Sequence, residues 1–152
     1  METLALLLKH AEDERDRSMA TFQTATVNQS SALAQLDQLL NYRRDCETRW
    51  QGQFTQQGQM ELVRSYHGFM IRLTQAVEHQ QLSVKQAEER LAAARAALRE
   101  RELRVASVHK LIARRQLRVR SDAARHEQKL NDERAWSQVQ DSAFPGDMAS
   151  TY

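Results

Sequence analysis

The sequence predicts an all-α fold, a long antiparallel two-helix coiled-coil hairpin in which the second helix overhangs the first. Apolar residues recur at alternating steps of three and four over most of the chain, which is the pattern of a coiled-coil seam. Glycine and proline are scarce, with four and one residues in 152, so few reversals of direction are available. The lapse in the repeat coincides with Gly52 and Gly58, which predicts a single turn near residues 51–59.

The second helix is predicted from its repeat, which is clearest between Val84 and Val119 and contains no glycine or proline there. The seam positions of that stretch are Val84, Ala87, Leu91, Ala94, Leu98, Arg101, Val105, Val108, Ile112, Arg115 and Val119. Nearer the turn, the seam is expected at Leu62, Tyr66, Phe69, Leu73, Ala76 and Gln80. The four-residue step from Gln80 to Val84 predicts a stutter, which locally unwinds a supercoil.

The first helix is predicted from a similar repeat before the turn. Its seam positions are Leu4, Leu8, Ala11, Arg15, Ser18, Phe22, Ala25, Gln29, Ala32, Leu36, Leu39, Arg43, Cys46 and Trp50. A short connection makes two such helices antiparallel neighbours. With the turn near residue 55, Leu39 should meet Phe69–Leu73, Leu8 should lie near 102–105, and the acidic stretch 12–16 should lie alongside Arg95–Arg99. The second helix then overhangs the first by about 30 residues, since it is longer at ~1.5 Å per residue.

Domain organisation follows from these patterns. Residues 1–141 are expected to form the hairpin, and residues 142–152 are expected to be a disordered tail, because they contain the proline and the last glycine. The single cysteine, Cys46, cannot form an internal disulfide. No apolar run approaches the ~20 residues of a membrane-spanning helix. The sequence therefore predicts a cytosolic protein that reaches a membrane only through partners.

The sequence contains no pattern that indicates catalysis. It lacks the P-loop, dinucleotide-binding, zinc-protease and paired-cysteine motifs. Its five histidines are scattered without the spacing of metal ligands, and a two-helix rod offers no cavity for a reaction. We therefore expect neither an enzyme, nor a metal site, nor a cofactor.

Two surfaces of the predicted rod are candidates for binding. From Arg90 to Arg125 there are eleven basic residues against three acidic ones, which indicates either a solvated or partner-facing helix surface, or a stripe for nucleic acid. The aromatic residues Tyr42, Trp50, Phe54, Tyr66 and Phe69 surround the predicted turn. They either seal the end of the hairpin or form an apolar patch that docks a partner.

Two sets of residues near the turn carry a resemblance to a known family. In the first helix the set is Gln35, Leu39, Tyr42 and Cys46, and in the second it is Phe69, Leu73, Ala76 and Gln80. Both sets are spaced four, three and four. The chain resembles the FliJ family, the small coiled-coil component of the bacterial flagellar protein-export apparatus. Cys46 stands where that family often has a second aromatic residue, and Gln80 stands where it can have histidine.

The resemblance implies a function in flagellar assembly and motility without catalysis by this chain. FliJ-like proteins resemble the central stalk of a rotary ATPase, and their paired helix ends enter the hexameric export ATPase and promote its activity. The implied partners are that ATPase and its regulator, the membrane export gate, and export chaperones. The resemblance assigns gate binding to the two sets of residues named above, which we call the gate patch. It places the protein at the cytoplasmic face of the inner membrane.

Three alternatives remain open from the sequence. A stalk protein of a virulence secretion system would share this architecture. A basic coiled coil could bind nucleic acid, in which case binding would fall steeply with salt. A purely structural oligomer could pair its helices between chains instead of within one chain.

Overall fold

The computed structural model describes residues 2–56 and 60–143, and both ranges are helical. Helix α1 spans Glu2–Gln56, and helix α2 spans Met60–Ala143. The helices pack side by side and run antiparallel, since Tyr42 contacts Phe69 near the turn while Glu14 contacts Arg101 far from it. Within the two described ranges there is no strand. The predicted all-α hairpin is therefore confirmed.

Helix α1 is longer than the sequence predicted, because it continues through Gly52 to Gln56. Gly52 does not have the left-handed backbone that would end a helix, and a side chain there would have no atom within 4 Å. A single glycine inside a helix costs only ~1 kcal/mol relative to alanine, which a helix of 55 residues can tolerate. The other glycine of the predicted turn, Gly58, lies outside the described residues, as do residues 144–152 of the predicted tail. The first two residues of that tail, 142 and 143, were predicted incorrectly, because they continue α2.

The interface between the helices follows the predicted seam closely. All the predicted seam positions of α1 are buried or half-buried, and so are those of α2 from Val84 to Ile112. A core cluster far from the turn contains Ala11, Val105 and Val108, with Leu8 and Ile112 packed against it. The apolar 3-4 repeat is thus the surface along which the two helices join.

Within the part of α2 that α1 covers, one seam position was predicted incorrectly, and the predicted seam positions Arg115 and Val119 lie exposed beyond that part. Ala76 is exposed, and its neighbour Val77 is among the most buried residues of the chain. The stutter, which is the place where two four-residue steps follow each other, therefore lies at Phe69, Leu73 and Val77. This is closer to the turn than the sequence predicted. A valine side chain removes more apolar surface from water than an alanine does, so burying Val77 is the more favourable choice.

The helices are paired about one helical turn away from the predicted register. Leu8 was predicted to lie near residues 102–105, but it packs against the cluster that contains Val105 and Val108. Glu14 accepts hydrogen bonds from Arg101 and from Arg104, the latter at 3.2 Å. Arg95, which was expected beside the acidic stretch 12–16, instead lies over the ring of Phe22 at 5.9 Å from its centroid. Acidic and basic residues are matched across the interface as expected, but with different partners.

Within the described ranges, no second helix packs along the far end of α2. Beyond Ile112, every residue of the range 113–143 is exposed, and this range extends ~45 Å at ~1.5 Å per residue. We call residues 113–143 the overhang. Its presence confirms the predicted difference in length between the two helices.

A substitution in the seam tests this packing. Leu98 is 8% exposed in the interface, so Leu98→Asp is expected to lower the free energy of unfolding by about 3 kcal/mol, because it buries an unpaired charge. Leu103→Asp is the matched control, since Leu103 lies on the same helix and is 63% exposed. Thermal unfolding followed by circular dichroism measures both. Equal melting temperatures for the two variants would show that Leu98 is not in the seam.

Candidate docking surfaces of the rod

The gate patch is centred on an aromatic contact between the two helices. The rings of Tyr42 and Phe69 lie edge to face, with centroids 6.2 Å apart and an angle of 80° between their planes. Such pairs contribute beyond the area that they bury. Tyr42 is 50% exposed, and Phe69 is half-buried beneath it. The contact therefore presents one aromatic ring to solvent and uses the other to hold it in place.

A second aromatic pair lies nearer the turn. The rings of Trp50 and Tyr66 have centroids 5.1 Å apart and are tilted by 38°, and both side chains are half-buried between the helices. The side chain of Phe54 lies outside the described part of the chain. Both interpretations of the aromatic residues thus have support in the structure, since Trp50 and Tyr66 close the interface while Tyr42 faces outward.

The predicted patch residues differ in how accessible they are. Gln35, Tyr42 and Ala76 are exposed, Leu39, Phe69 and Gln80 are half-buried, and Cys46 and Leu73 are buried. A buried side chain in the seam can support a docking surface from beneath, but a partner could touch it only if the helices separated. The accessible part of the patch is therefore a polar and aromatic surface around Tyr42.

Gln80 joins the two helices through its side-chain amide. Its Nε2 donates one hydrogen bond to the backbone oxygen of Ala32 at 2.9 Å and another to Oε1 of Gln35 at 3.2 Å. Gln80 lies in a seam that is otherwise largely apolar, and a half-buried polar group favours the register that gives it partners. The amide nitrogen of Gln80 therefore acts within the hairpin and fixes the relative position of the two patch segments.

Comparison with known proteins identifies the family. A model of the flagellar FliJ protein family matches residues 1–143, which includes both helices and both segments of the patch. The chain belongs to the FliJ family. Searches of curated proteins and of solved structures give no match.

FliJ-family membership makes this chain a component of flagellar protein export, in a family that is not catalytic. It favours the flagellar system over the virulence system that the sequence left open. In the described ranges 2–56 and 60–143, no His, Cys, Asp or Glu residues cluster in a way that could hold a metal ion. Neither α1 nor α2, over its described length, is both long enough and apolar enough to cross a membrane.

The opposite end of this FliJ-family rod has a different surface. Where α1 begins, Leu4 borders a groove whose other walls are Leu111, Val119, Asp122 and the arginines at 114, 115 and 118 of α2. Leu111 and Val119 are exposed. The rod thus presents an aromatic surface near the turn and a basic, partly apolar surface where α1 begins.

The sequence interpretation missed one apolar surface near the patch. Met60, Val63 and Ile71 are exposed on α2. Together with His67 they are spaced three, four and four residues apart along the sequence. That spacing places them along one side of the helix, so the signal was available. It was missed because the seam positions of the same segment, which include Phe69 and Leu73, show the stronger repeat.

The hydrogen bonds of Gln80 lead to a stability prediction. Gln80→Ala is expected to lower the free energy of unfolding by about 1 kcal/mol, because it removes both bonds between the helices. Gln81→Ala makes the same chemical change at an exposed neighbour and should have a smaller effect. Urea denaturation measures both variants. Equal losses would show that the bonds of Gln80 add no net stability.

Proposed function

We propose that this protein is a stalk-like adaptor, which promotes the activity of the flagellar export ATPase and couples that enzyme to the membrane export gate. The observation that carries the proposal is the overhang, which leaves ~45 Å of helix free for another protein. A coiled-coil rod of this kind is stiff along its length, so it can hold two partners at a fixed separation. The FliJ-family match supports this assignment.

The basic end is proposed to bind the hexameric ATPase. The start of α1 and the adjoining part of α2 together offer exposed Leu111 and Val119, with three arginines and one acidic residue, Asp122, around them. Apolar groups next to positive charge suit a ring whose inner surface is apolar and acidic, since complementary charge speeds and orients association. In this proposal the ATPase regulator and export chaperones are further partners of the same cytoplasmic assembly at the inner membrane.

The gate patch is proposed to bind the export gate at the other end. The exposed ring of Tyr42, supported by Phe69, has the features of an anchor residue, because aromatic side chains held by their surroundings often dominate binding energy. Gln35 and Ala76 would border this anchor, while Leu39, Cys46, Leu73 and Gln80 would hold its position.

The structure favours this function over nucleic-acid binding. Part of the basic face 90–125 is used within the hairpin, because Arg101 and Arg104 pair with Glu14 and Arg95 lies over Phe22. Those side chains are less available to phosphate groups than the sequence alone suggested. The aromatic rings of the patch also lie at the turn, far along the rod from the basic face, so the two do not form one base-stacking surface.

Stimulation of the ATPase tests the first contact. Addition of the purified protein to the purified flagellar export ATPase is expected to raise the rate of ATP hydrolysis and to yield a hexamer-sized complex on size-exclusion chromatography. The variant Arg114→Glu with Arg115→Glu should lose both effects, because it reverses charge beside the groove. Arg64→Glu with Arg72→Glu, two exposed residues near the turn, is the matched control. A folded sample that neither stimulates nor binds the ATPase would refute the proposal.

Substitution in the gate patch tests the second contact. Tyr42→Ala with Phe69→Ala should weaken binding to the cytoplasmic linker of the export gate about 30-fold, as expected for loss of an anchor worth ~2 kcal/mol. ATPase stimulation and helical content should be nearly unchanged. Val27→Ala, at another exposed position of α1, is the control. Calorimetry measures the affinity, and loss of most of the helical signal would assign the two rings to hairpin stability instead.

A further inference from the structure

The overhang consists of two halves with opposite charge. Residues 113–125 contain five arginines and one aspartate, a net formal charge of +4. Residues 126–143 contain Lys129 and Arg134 against Glu127, Asp132, Glu133 and Asp141, a net formal charge of −2. Two copies of such a helix attract one another when they run antiparallel, because each basic half then lies beside an acidic half.

The charges of Glu127 and Arg134 are not matched within the chain. Among the residues that the structure describes, no salt bridge includes a member of the overhang. Glu127 and Arg134 also have no charged residue three or four positions away on their own helix, which are the positions that could pair with them locally. Their charges are available to another molecule.

The overhang also has a face on which a second helix could approach closely. Uncharged residues, half of them alanine or serine, recur there at alternating steps of three and four, namely Leu117, Ser121, Ala124, Gln128, Asn131, Ala135, Gln138 and Ser142. Helix α1 does not cover this face, since α1 begins beside Leu111, Arg115 and Val119 and Leu117 is 71% exposed. A second chain could therefore lie along it without displacing α1.

We infer that a second copy of this chain pairs with the overhang in an antiparallel two-helix contact. One alignment satisfies both the seam and the charges. It places Ala124 opposite Ala135 of the second copy, and Gln128 opposite Asn131 of the second copy. The positions that flank the seam then form three ion pairs between the copies. They bring Glu127 next to Arg134 of the second copy, Arg125 next to Asp132 of the second copy, and Arg120 next to Asp141 of the second copy. Two-fold symmetry repeats each of these contacts, and a parallel arrangement would instead place basic halves together.

The contact should be reversible and sensitive to salt. Its seam is short and contains Ser, Gln and Asn, so it buries little apolar surface, and exposed ion pairs contribute little each and are screened by salt. The hairpins remain intact and extend in opposite directions. The dimer is therefore about 210 Å long, whereas one rod of 84 residues is about 125 Å long at ~1.5 Å per residue.

Analytical ultracentrifugation and small-angle scattering of the full chain test the inference. We expect a monomer–dimer equilibrium at micromolar to millimolar concentration, a maximum dimension of about 210 Å for the dimer, and dissociation as salt is raised. Glu127→Arg should weaken dimerisation about tenfold, because it places like charges beside Arg134 at two symmetric positions. Adding Arg134→Glu to that variant should restore dimerisation.

A control separates this contact from a general effect of charge. Glu133→Arg makes the same change six positions along the helix from Glu127, on the side turned away from the proposed contact, and should dimerise like the unmodified chain. A monomer at all concentrations would overturn the inference, and so would a dimer only about 125 Å long or failure of the paired substitution to restore association. Circular dichroism verifies that each variant is folded.

The inference does not require the proposed ATPase stalk, because the test uses the isolated chain. If the dimer and the proposed ATPase contact both exist, a second copy of the chain and the ATPase compete for the overhang. The ATPase must then separate the dimer. Loss of ATPase stimulation in Arg114→Glu with Arg115→Glu, together with retained dimerisation, would then distinguish the two contacts. The charge-reversed arginines of the ATPase test, at 114 and 115, lie outside the aligned ion pairs.

Discussion

The apolar stripe of α2 can be buried only where α1 reaches, and this constraint shapes the rest of the molecule. A helix cannot cover its own stripe, so each seam residue of α2 needs a side chain from α1 opposite it. From Leu73 to Val108 that condition is met, and the buried residues, together with half-buried Gln80 and Arg101, recur at steps of three and four. Beyond Ile112, α2 extends past the start of α1 and continues without cover.

The composition of α2 changes where its cover ends. Buried valine, alanine and leucine dominate the paired part of the seam, whereas Arg115 and Val119 continue the repeat at exposed positions. The paired part also matches acidic α1 residues with basic α2 residues, as Glu14 with Arg101 and Arg104. The overhang keeps helical sequence and strong charge without such a match. It is therefore a surface for other molecules rather than part of the core.

Polar groups in the interface determine alignment more than stability. Burial of alanine, valine and leucine favours contact between the helices, but an apolar heptad repeat alone fits more than one alignment. The amide of Gln80 can donate to both of its acceptors in only one alignment of the helices. In that same alignment, Glu14 accepts hydrogen bonds from Arg101 and Arg104. That alignment brings Tyr42 against Phe69, so the shape of the gate patch depends on distant residues.

The sequence by itself determined the secondary structure, the seam and the difference in length between the helices, because a 3-4 repeat directly specifies one buried face. It also indicated the aromatic residues of the patch. The register was decided only by the tertiary structure. α1 continues through Gly52 to Gln56, so the turn lies later in the chain than the sequence predicted. When the centre of the turn moves by one residue, the α2 residue that faces a given α1 residue changes by two. The choice of Val77 over Ala76, the acceptors of Gln80 and the exposure of Tyr42 all depend on that register, which local patterns do not specify.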